Sequence, residues 1–338
     1  MLRPYQCPST PYQLDHMTIF AIALVALTLQ HADTTAPAAA VETPYTIHSG
    51  ALELGGTLTV PRATSGKVPL VVIIAGSGPT DRNGNSMMGV RANSYALLAW
   101  GLAGRGVASL RYDKRVLPGT KGTVDISRLA LDDFAADARA AAESLARDPR
   151  FSRVVLLGHS EGSSLALIAA RGGPPVTGVI SVSGLGRPFG TVLREQLSPQ
   201  FDSATMVRYD TAMAQYLRGE QPKDVPPALA VLFVPINQNF MKSLASFDPP
   251  AAIRAVPQPV LIVQGGHDLQ VTVADAERLH SARPDAQLVV VPAANHVLKP
   301  DSGATLARQM TTTYRNPTIP VMPEIITAIA DWVLKLRR

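Results

Sequence analysis

The chain has 338 residues, of which 46% are apolar and 17% charged, so it can bury a large core as one large domain or two modest ones. The net charge is +5, but the Lys and Arg residues are scattered along the chain rather than gathered into a stripe. This scatter, together with an aromatic content of only 5%, argues against a nucleic-acid partner.

Residues 1–40 differ from the rest of the chain and are predicted to be a signal peptide and leader. The apolar run at residues 19–29 is shorter than the roughly 20 residues of a membrane-spanning helix. Small residues follow, and both 36–38 and 38–40 fit an A-x-A cleavage site. We expect a periplasmic or secreted protein without a membrane span after maturation; a retained anchor or a buried helix is the alternative. Removal of the leader would also remove Cys7, the only cysteine, and with it disulfides and cysteine catalysis.

Beyond the leader, strand-like and helix-like segments alternate. A hairpin is predicted over residues 45–60 with its turn at Gly55-Gly56, and the continuous apolar run 68–75 is typical of a parallel strand covered on both faces. Further strands are predicted at residues 107–111, 154–157, 176–182, 260–263 and 287–291. Helices are predicted at residues 94–103, 125–147, 161–170, 273–281 and 324–336. This alternation indicates an α/β fold with a mostly parallel, doubly wound sheet.

One connection, residues 183–259, is far longer than the usual link between a strand and the next element. Met206 and Met213 have helical spacing with their neighbours, and residues 225–244 are largely apolar. We expect an inserted helical cap over one end of the sheet, with a disordered loop as the alternative. The predicted organisation is a first part of the core, the cap and a second part of the core, over residues 41–184, 185–250 and 251–338.

The strongest local motif is Gly158-His159-Ser160-Glu161-Gly162, which stands directly after a buried strand and before a helix. It fits G-x-S-x-G, the nucleophile elbow. A strand that turns into a helix within two residues strains the backbone of the serine and brings neighbouring backbone close, which glycine permits. The serine Oγ is then held at the edge of the sheet, facing N–H groups that can stabilise an oxyanion. Ser160 is therefore the predicted nucleophile.

A serine nucleophile needs a base, and the base needs an orienting carboxylate; in this arrangement the acid and then the histidine follow the serine along the chain. His296 comes just after a predicted strand, where a sheet delivers side chains to its carboxyl edge. His280 falls inside a predicted helix, and His267 is adjacent to Asp268, the better acid. His296 is the predicted base.

Asp268 also follows the C-terminal end of a predicted strand. From there its carboxylate can accept the Nδ1–H of His296, fix the tautomer and stabilise the imidazolium. The competing acids are Asp275, which is better explained by the dipole of the helix it begins, and Asp285, which sits in a turn. Asp268 is the predicted acid.

The oxyanion hole requires two N–H donors. One is predicted at Glu161, the residue after the nucleophile. The other is expected in the loop Gly76-Ser77-Gly78-Pro79, whose glycines let the backbone approach a substrate closely, and we favour the N–H of Ser77. A plain glycine turn is the alternative for this loop.

These segments resemble the bacterial serine esterase branch of the α/β-hydrolase superfamily, the serine-aminopeptidase-like hydrolases. Residues 76–85 (GSGPTDRNGN) are similar to the HGSGPxDRDGN oxyanion loop of that branch, and GHSEG is similar to its elbow. Residues 111–115 and 247–271 resemble its next strand end and its acid-bearing segment. The resemblance covers nearly the whole chain from Pro44. It implies hydrolysis of a small-molecule carboxylic ester through an acyl-enzyme, without a cofactor.

The chain departs from this pattern at two positions: Ala75 stands where many relatives have histidine, and Asn83 replaces an aspartate. Because the oxyanion donor is a backbone group, Ala75 should not abolish activity, although it can alter the rigidity of the loop. Support of the oxyanion loop is expected from two glycines and two charged residues, Gly76, Gly78, Asp81 and Arg82. A direct contact between Arg82 and the substrate is the alternative to this supporting role.

Other functional patterns fit less well. The run Gly184 to Gly190 resembles a dinucleotide fingerprint, but its third glycine is one residue late and Pro188 interrupts the start of a helix. The histidines have no metal-ligand spacing, so no metal is predicted. The competing functions are a peptidase or thioesterase with the same triad, and a non-catalytic binding protein on this scaffold.

Overall fold

The computed structural model describes residues 36–336 except residues 172, 174 and 304. Most of the predicted leader, residues 1–35, lies outside the described residues, and its identity as a signal peptide stays a prediction. Within the described part of the chain, no helix combines the length and the apolar character needed to cross a membrane.

The strands form one large sheet and a separate short hairpin. Their bounds are β1 (Ala40–Ser49), β2 (Leu52–Pro61), β3 (Val68–Ile74), β4 (Asn85–Ser86), β5 (Val90–Arg91), β6 (Ala108–Tyr112), β7 (Phe151–His159), β8 (Gly178–Val182), β9 (Val260–Gly265) and β10 (Gln287–Val291). The large sheet has the order β1-β2-β6-β3-β7-β8-β9-β10, and β4 pairs with β5. The pairs from β6 to β10 are parallel, whereas β1 and β2 add an antiparallel edge. The predicted mostly parallel sheet is confirmed.

Helices cover both faces of this sheet. Their bounds are α1 (Ser94–Gly104), α2 (Leu131–Ala146), α3 (Glu161–Arg171), α4 (Phe189–Leu197), α5 (Ser203–Arg218), α6 (Gln238–Ala245), α7 (Pro249–Arg254), α8 (Val273–Ala282), α9 (Leu306–Thr311) and α10 (Pro323–Lys335). Strand β3 shows why its sequence is continuously apolar: Leu70 and Val72 pack with α2 and α3, while Val71 and Ile73 pack with α1 and α10.

The turn of the N-terminal hairpin was predicted at the wrong glycines. The chain reverses between Ser49 and Leu52, which pair with each other, and Gly50 there has a φ of +59°. Gly55 and Gly56 instead lie inside β2. A Cβ at Gly55 would stand 2.6 Å from the Arg82 guanidinium, so this glycine serves close approach rather than chain reversal.

The single helix predicted over residues 125–147 is in fact two elements. A 3-10 turn (Ile126–Arg128) precedes α2, and Ala130 between them is extended. Each element has its own acidic residue at its start: the carboxylate of Asp125 accepts the N–H of Ser127 at 3.1 Å, and that of Asp133 accepts the N–H of Ala130 at 2.8 Å. These two side-chain acceptors favour a second helix start over a continuous helix.

The segment between β8 and β9, which we call the cap segment (residues 183–259), contains α4 to α7. It has an apolar cluster of its own, in which the rings of Tyr209 and Tyr216 pack edge-on against Phe233. Its α6 also contacts the core, since the rings of Phe240 and Phe134 stand 5.5 Å apart. The helices α4 to α6 thus form a packed layer with its own apolar cluster, whereas Ala252 and Ile253 of α7 belong to the main core.

Candidate active site

Ser160 occupies the single-residue turn between β7 and α3. Its φ is +56°, a left-handed conformation that non-glycine residues rarely adopt. A Cβ at Gly158 would lie 1.9 Å from the carbonyl oxygen of Gly162, and a Cβ at Gly162 would lie 2.3 Å from that of Ile74. Only glycine fits these two positions, so the flanking glycines of the motif allow the strained turn at Ser160.

Asp268 and His296 are joined directly. The distance between Asp268 Oδ2 and His296 Nδ1 is 2.8 Å, and both side chains are buried. Asp268 comes from the loop after β9 and His296 from the loop after β10, so two neighbouring parallel strands deliver them to the same edge. The other oxygen of Asp268 accepts the N–H groups of Gln270 and Val271, each at 2.9 Å.

The same contacts set the charge of Asp268. Burial raises the pKa of this carboxyl, but the neighbouring His296 and the hydrogen bonds from His296, Val271 and Gln270 outweigh burial and hold the pKa below its usual value. A carboxylate kept ionised can hold the Nδ1 proton of His296 and leave the Nε2 atom as a base.

A hydrogen-bonded chain connects three segments of the site through His159 and Tyr95. The N–H of Gly76 donates to the Tyr95 hydroxyl at 3.0 Å, and that hydroxyl lies 2.9 Å from His159 Nδ1. His159 Nε2 lies 2.8 Å from the carbonyl oxygen of His296, and the two imidazole rings are 4.8 Å apart. The loop after β3, the turn at Ser160 and the loop of His296 are therefore tied together.

The proton positions in this chain follow from its acceptors. A carbonyl oxygen can only accept, so His159 Nε2 carries the proton and Nδ1 accepts from Tyr95. Burial, together with the neighbouring His296, lowers the pKa of His159 to about 3, which keeps the ring neutral in this tautomer.

The loop after β3 passes directly beside Ser160. A Cβ at Gly76 would lie 3.2 Å from the Cβ of Ser160, and Ser77 is the next residue. Glu161 is the first residue of α3, so its N–H is one of those with no acceptor inside the helix. Gly78 has a φ of +70°. The two segments in which oxyanion donors were predicted thus meet at Ser160.

Asp81 and Arg82 make contacts within the protein. One oxygen of Asp81 accepts the N–H groups of Asn83 and Asn85, each at 2.8 Å, which closes a tight loop. Arg82 forms an ion pair with Asp113, and its Nε lies 3.0 Å from Asp113 Oδ2. Both contacts connect the loop after β3 to neighbouring backbone and to the end of β6.

A buried ion pair borders the site. Lys114 Nζ lies 2.8 Å from Glu161 Oε1, and each side chain is only 5% exposed. The ammonium also stands 5.5 Å from the centre of the Phe134 ring. The ammonium of Lys114 therefore neutralises the Glu161 carboxylate at the start of α3.

An apolar cavity opens between the loop after β3 and the start of α3. We call it the apolar cavity; it is lined by Gly78, Lys114, Val116, Ile126, Leu129, Phe134, Glu161, Asn237 and Phe240. Core residues supply one side, and α6 of the cap segment supplies the other through Phe240. A mainly hydrophobic space next to the turn at Ser160 suits an apolar part of a substrate.

The competing histidines and acids lie elsewhere. His267 Nδ1 contacts the carbonyl oxygen of Asp301 at 2.6 Å, and His280 is part of α8. Asp275 is fully buried and paired with Arg187 at 2.9 Å, a stronger constraint than the helix dipole alone. Asp285 is 68% exposed and pairs with Arg283.

The chain belongs to the α/β-hydrolase family, because the family model described as "Alpha/beta hydrolase family" matches residues 56–307. It is similar to Esterase EstD of Thermotoga maritima, with 29% identity over 289 residues that make up 83% of this chain and 66% of that protein. The chain therefore spans just under two thirds of the length of this curated relative.

Solved structures show the same fold at lower sequence identity. Est1E from Butyrivibrio proteoclasticus is 17% identical, with a TM-score of 0.54 over 87% of this chain and 98% of that one. Proline iminopeptidase from Mycobacterium smegmatis is 16% identical, with a TM-score of 0.57 over 87% and 98% of the two chains. The predicted α/β-hydrolase fold is confirmed.

Sequence reasoning missed Tyr95 and gave no role to the side chains of His159 and Lys114. Tyr95 belongs to no motif, and it meets His159 across 64 positions of sequence, so no local pattern marks it. Two signals were available: His159 fills the variable position before Ser160 in the G-x-S-x-G motif, and Lys114 is a charged residue two positions after a buried strand.

Proposed function

We propose that the protein is a serine carboxylesterase with Ser160 as nucleophile, His296 as base and Asp268 as the acid that orients it. The observation that carries this proposal is the buried Asp268–His296 hydrogen bond of 2.8 Å at the sheet edge where the strained turn holds Ser160. The name of the curated relative, an esterase, supports the same reaction.

In this reaction the Ser160 hydroxyl attacks the ester carbonyl and gives its proton to His296 Nε2. The N–H groups of Ser77 and Glu161 stabilise the oxyanion. Collapse of the tetrahedral intermediate breaks the bond to the alcohol, which leaves with the proton from His296. Water then attacks the acyl-enzyme with His296 again as base, which releases the acid and restores Ser160.

Hydrolysis of p-nitrophenyl acetate by wild type and by Ser160→Ala tests this function. We expect the variant to lose several orders of magnitude in kcat while its fold, followed by circular dichroism, is unchanged. Equal activities would contradict the proposal. Aminoacyl p-nitroanilides assayed beside the ester distinguish an esterase from a peptidase with the same triad.

We also propose that residues 1–40 direct export to the periplasm or the medium. Their apolar run followed by small residues supports this. Cleavage after Ala38 would leave β1 whole, whereas cleavage after Ala40 would remove its first, buried residue. The mass of the mature N-terminus tests the proposal, and an uncleaved cytoplasmic product would contradict it.

A further inference from the structure

The 3-10 turn (Ile126–Arg128) and the residue after it, Leu129, stand between two cavities. The first is the apolar cavity. The second, which we call the polar cavity, is lined by Leu52, Arg115, Thr123, Val124, Asp125, Arg128, Leu129 and Asp133. Leu129 lines both.

The period of the turn explains how it separates the two spaces. A 3-10 helix has three residues per turn, so positions i and i+3 share a face. Ile126 and Leu129 are one such pair, and both line the apolar cavity. Asp125 and Arg128 are the next such pair, and both line the polar cavity. The turn is therefore an amphipathic partition one side chain thick.

The partition is fixed in place from the cap segment. Asn239 Nδ2 of α6 donates to the carbonyl oxygens of Arg128 at 2.7 Å and Leu129 at 3.0 Å. The Leu129 residue is only 6% exposed. Because the backbone of the turn is hydrogen-bonded and Leu129 is packed, a substrate group could displace Leu129 only at a cost in packing energy.

We propose that the apolar cavity receives the acyl group of the ester and that Leu129 closes its far end, so that the substrates are esters of short apolar acids. This inference rests on the proposed function. The cavity is lined by Glu161, a proposed oxyanion donor, and by Gly78, the residue after the other proposed donor, Ser77. The alcohol must leave towards solvent after the first step, whereas the acyl group stays bound. An apolar cavity walled by Leu129 and Phe134 suits the group that stays.

The charges nearby fit an apolar acyl group. Among the residues that line the apolar cavity, Lys114 is paired with Glu161. The two charges neutralise each other, so neither is free to bind a charged substrate group. The other cationic side chains nearby, Arg115 and Arg128, line the polar cavity on the other side of the partition, where Arg115 is already paired with Asp137. A carboxylate at the end of the acyl group would meet Leu129 and lose its hydration without a partner.

The test compares kcat/KM for p-nitrophenyl acetate, butyrate and octanoate in wild type and Leu129→Ala. We expect wild type to favour the short esters. Shortening Leu129 joins the two cavities, so the ratio of octanoate to acetate should rise by about tenfold or more. Phe240 is a partly buried residue of the opposite wall. Phe240→Ala should raise the same ratio and serves if Leu129→Ala folds poorly.

Leu197→Ala is the matched control, because Leu197 is equally buried but packs inside the cap segment, away from the cavity. Its ratio should equal that of wild type. Equal use of octanoate and butyrate by wild type, or an unchanged ratio in both cavity variants, would overturn the acyl site. Folded wild type that cleaves none of the esters would instead contradict the proposed function, and with it this inference.

Discussion

His159 Nε2 donates a 2.8 Å hydrogen bond to the carbonyl oxygen of His296, so the residue before Ser160 holds the loop that carries His296. Through its other nitrogen, His159 is linked to Tyr95 and onward to the N–H of Gly76. The three segments proposed to supply nucleophile, base and oxyanion donor therefore share one hydrogen-bonded chain.

Tyr95→Phe removes the central hydroxyl of this chain. It leaves the Gly76 N–H and His159 Nδ1 without a partner, and the loop that carries Ser77 loses a fixed position. We expect kcat to fall by between about tenfold and 100-fold while KM changes little. Steady-state kinetics with p-nitrophenyl acetate measure both constants.

Tyr45→Phe is the control for Tyr95→Phe. It removes a hydrogen bond outside the site, between the Tyr45 hydroxyl and Ser144 Oγ, which are 2.7 Å apart. We expect a small loss of stability and unchanged kcat. An equal fall in kcat in both variants would show that Tyr95 acts only through general stability.

The low pKa of His159 predicts how stability depends on pH. Burial, together with nearby His296, depresses the pKa of His159 from 6.5 to about 3 in the folded protein. Between pH 6.5 and pH 3 the His159 side chain binds a proton in the unfolded chain but not in the folded protein. The contribution of His159 to the free energy of unfolding is therefore fully present above pH 6.5 and is lost as pH falls towards 3. The slope from this group is at most about 1.4 kcal/mol per pH unit.

His159→Gln removes this titration. Urea denaturation between about pH 7 and pH 4 should show a smaller fall in the free energy of unfolding for the variant than for wild type. All other ionisable groups are shared, so the difference between the two slopes isolates His159. Parallel slopes would mean that folding does not lower the pKa of His159.

The buried pair Lys114–Glu161 predicts an electrostatic effect on the reaction. Lys114→Met leaves the carboxylate of Glu161 uncompensated beside the proposed oxyanion hole, where negative charge develops. We expect kcat to fall more than KM rises, and the free energy of unfolding to drop by about 3–5 kcal/mol. Adding Glu161→Gln removes both charges and should recover part of the lost kcat.

Lys121→Met is the matched control for Lys114. Lys121 pairs with Glu53 at 2.9 Å, but its side chain is 78% exposed. Water and salt screen a surface pair and leave it little net effect, so stability and kcat should be close to those of wild type. If the double variant is as slow as Lys114→Met alone, the charge of Glu161 is not the cause.

The sequence predicted those features that depend on local pattern. The motif around Ser160 could be recognised because it is local in sequence. The places of Asp268 and His296 could be predicted because both follow strands, and parallel strands place their carboxyl ends at one edge of the sheet. The break before α2 could not be predicted, because Ala130 is a good helix former and part of what marks the new start is tertiary: the N–H of Leu131 donates to Ser243 Oγ of α6 at 3.1 Å. The hairpin turn was missed because the closeness of Arg82 to Gly55 is a tertiary contact.

Covalent labelling of Ser160 by a fluorophosphonate tests the central claim most directly. The folded wild-type protein should gain the mass of a single phosphonyl group, peptide mapping should place it on Ser160, and folded Ser160→Ala should stay unlabelled. An unlabelled wild type, or a label on another serine such as the neighbouring Ser163, would contradict the account.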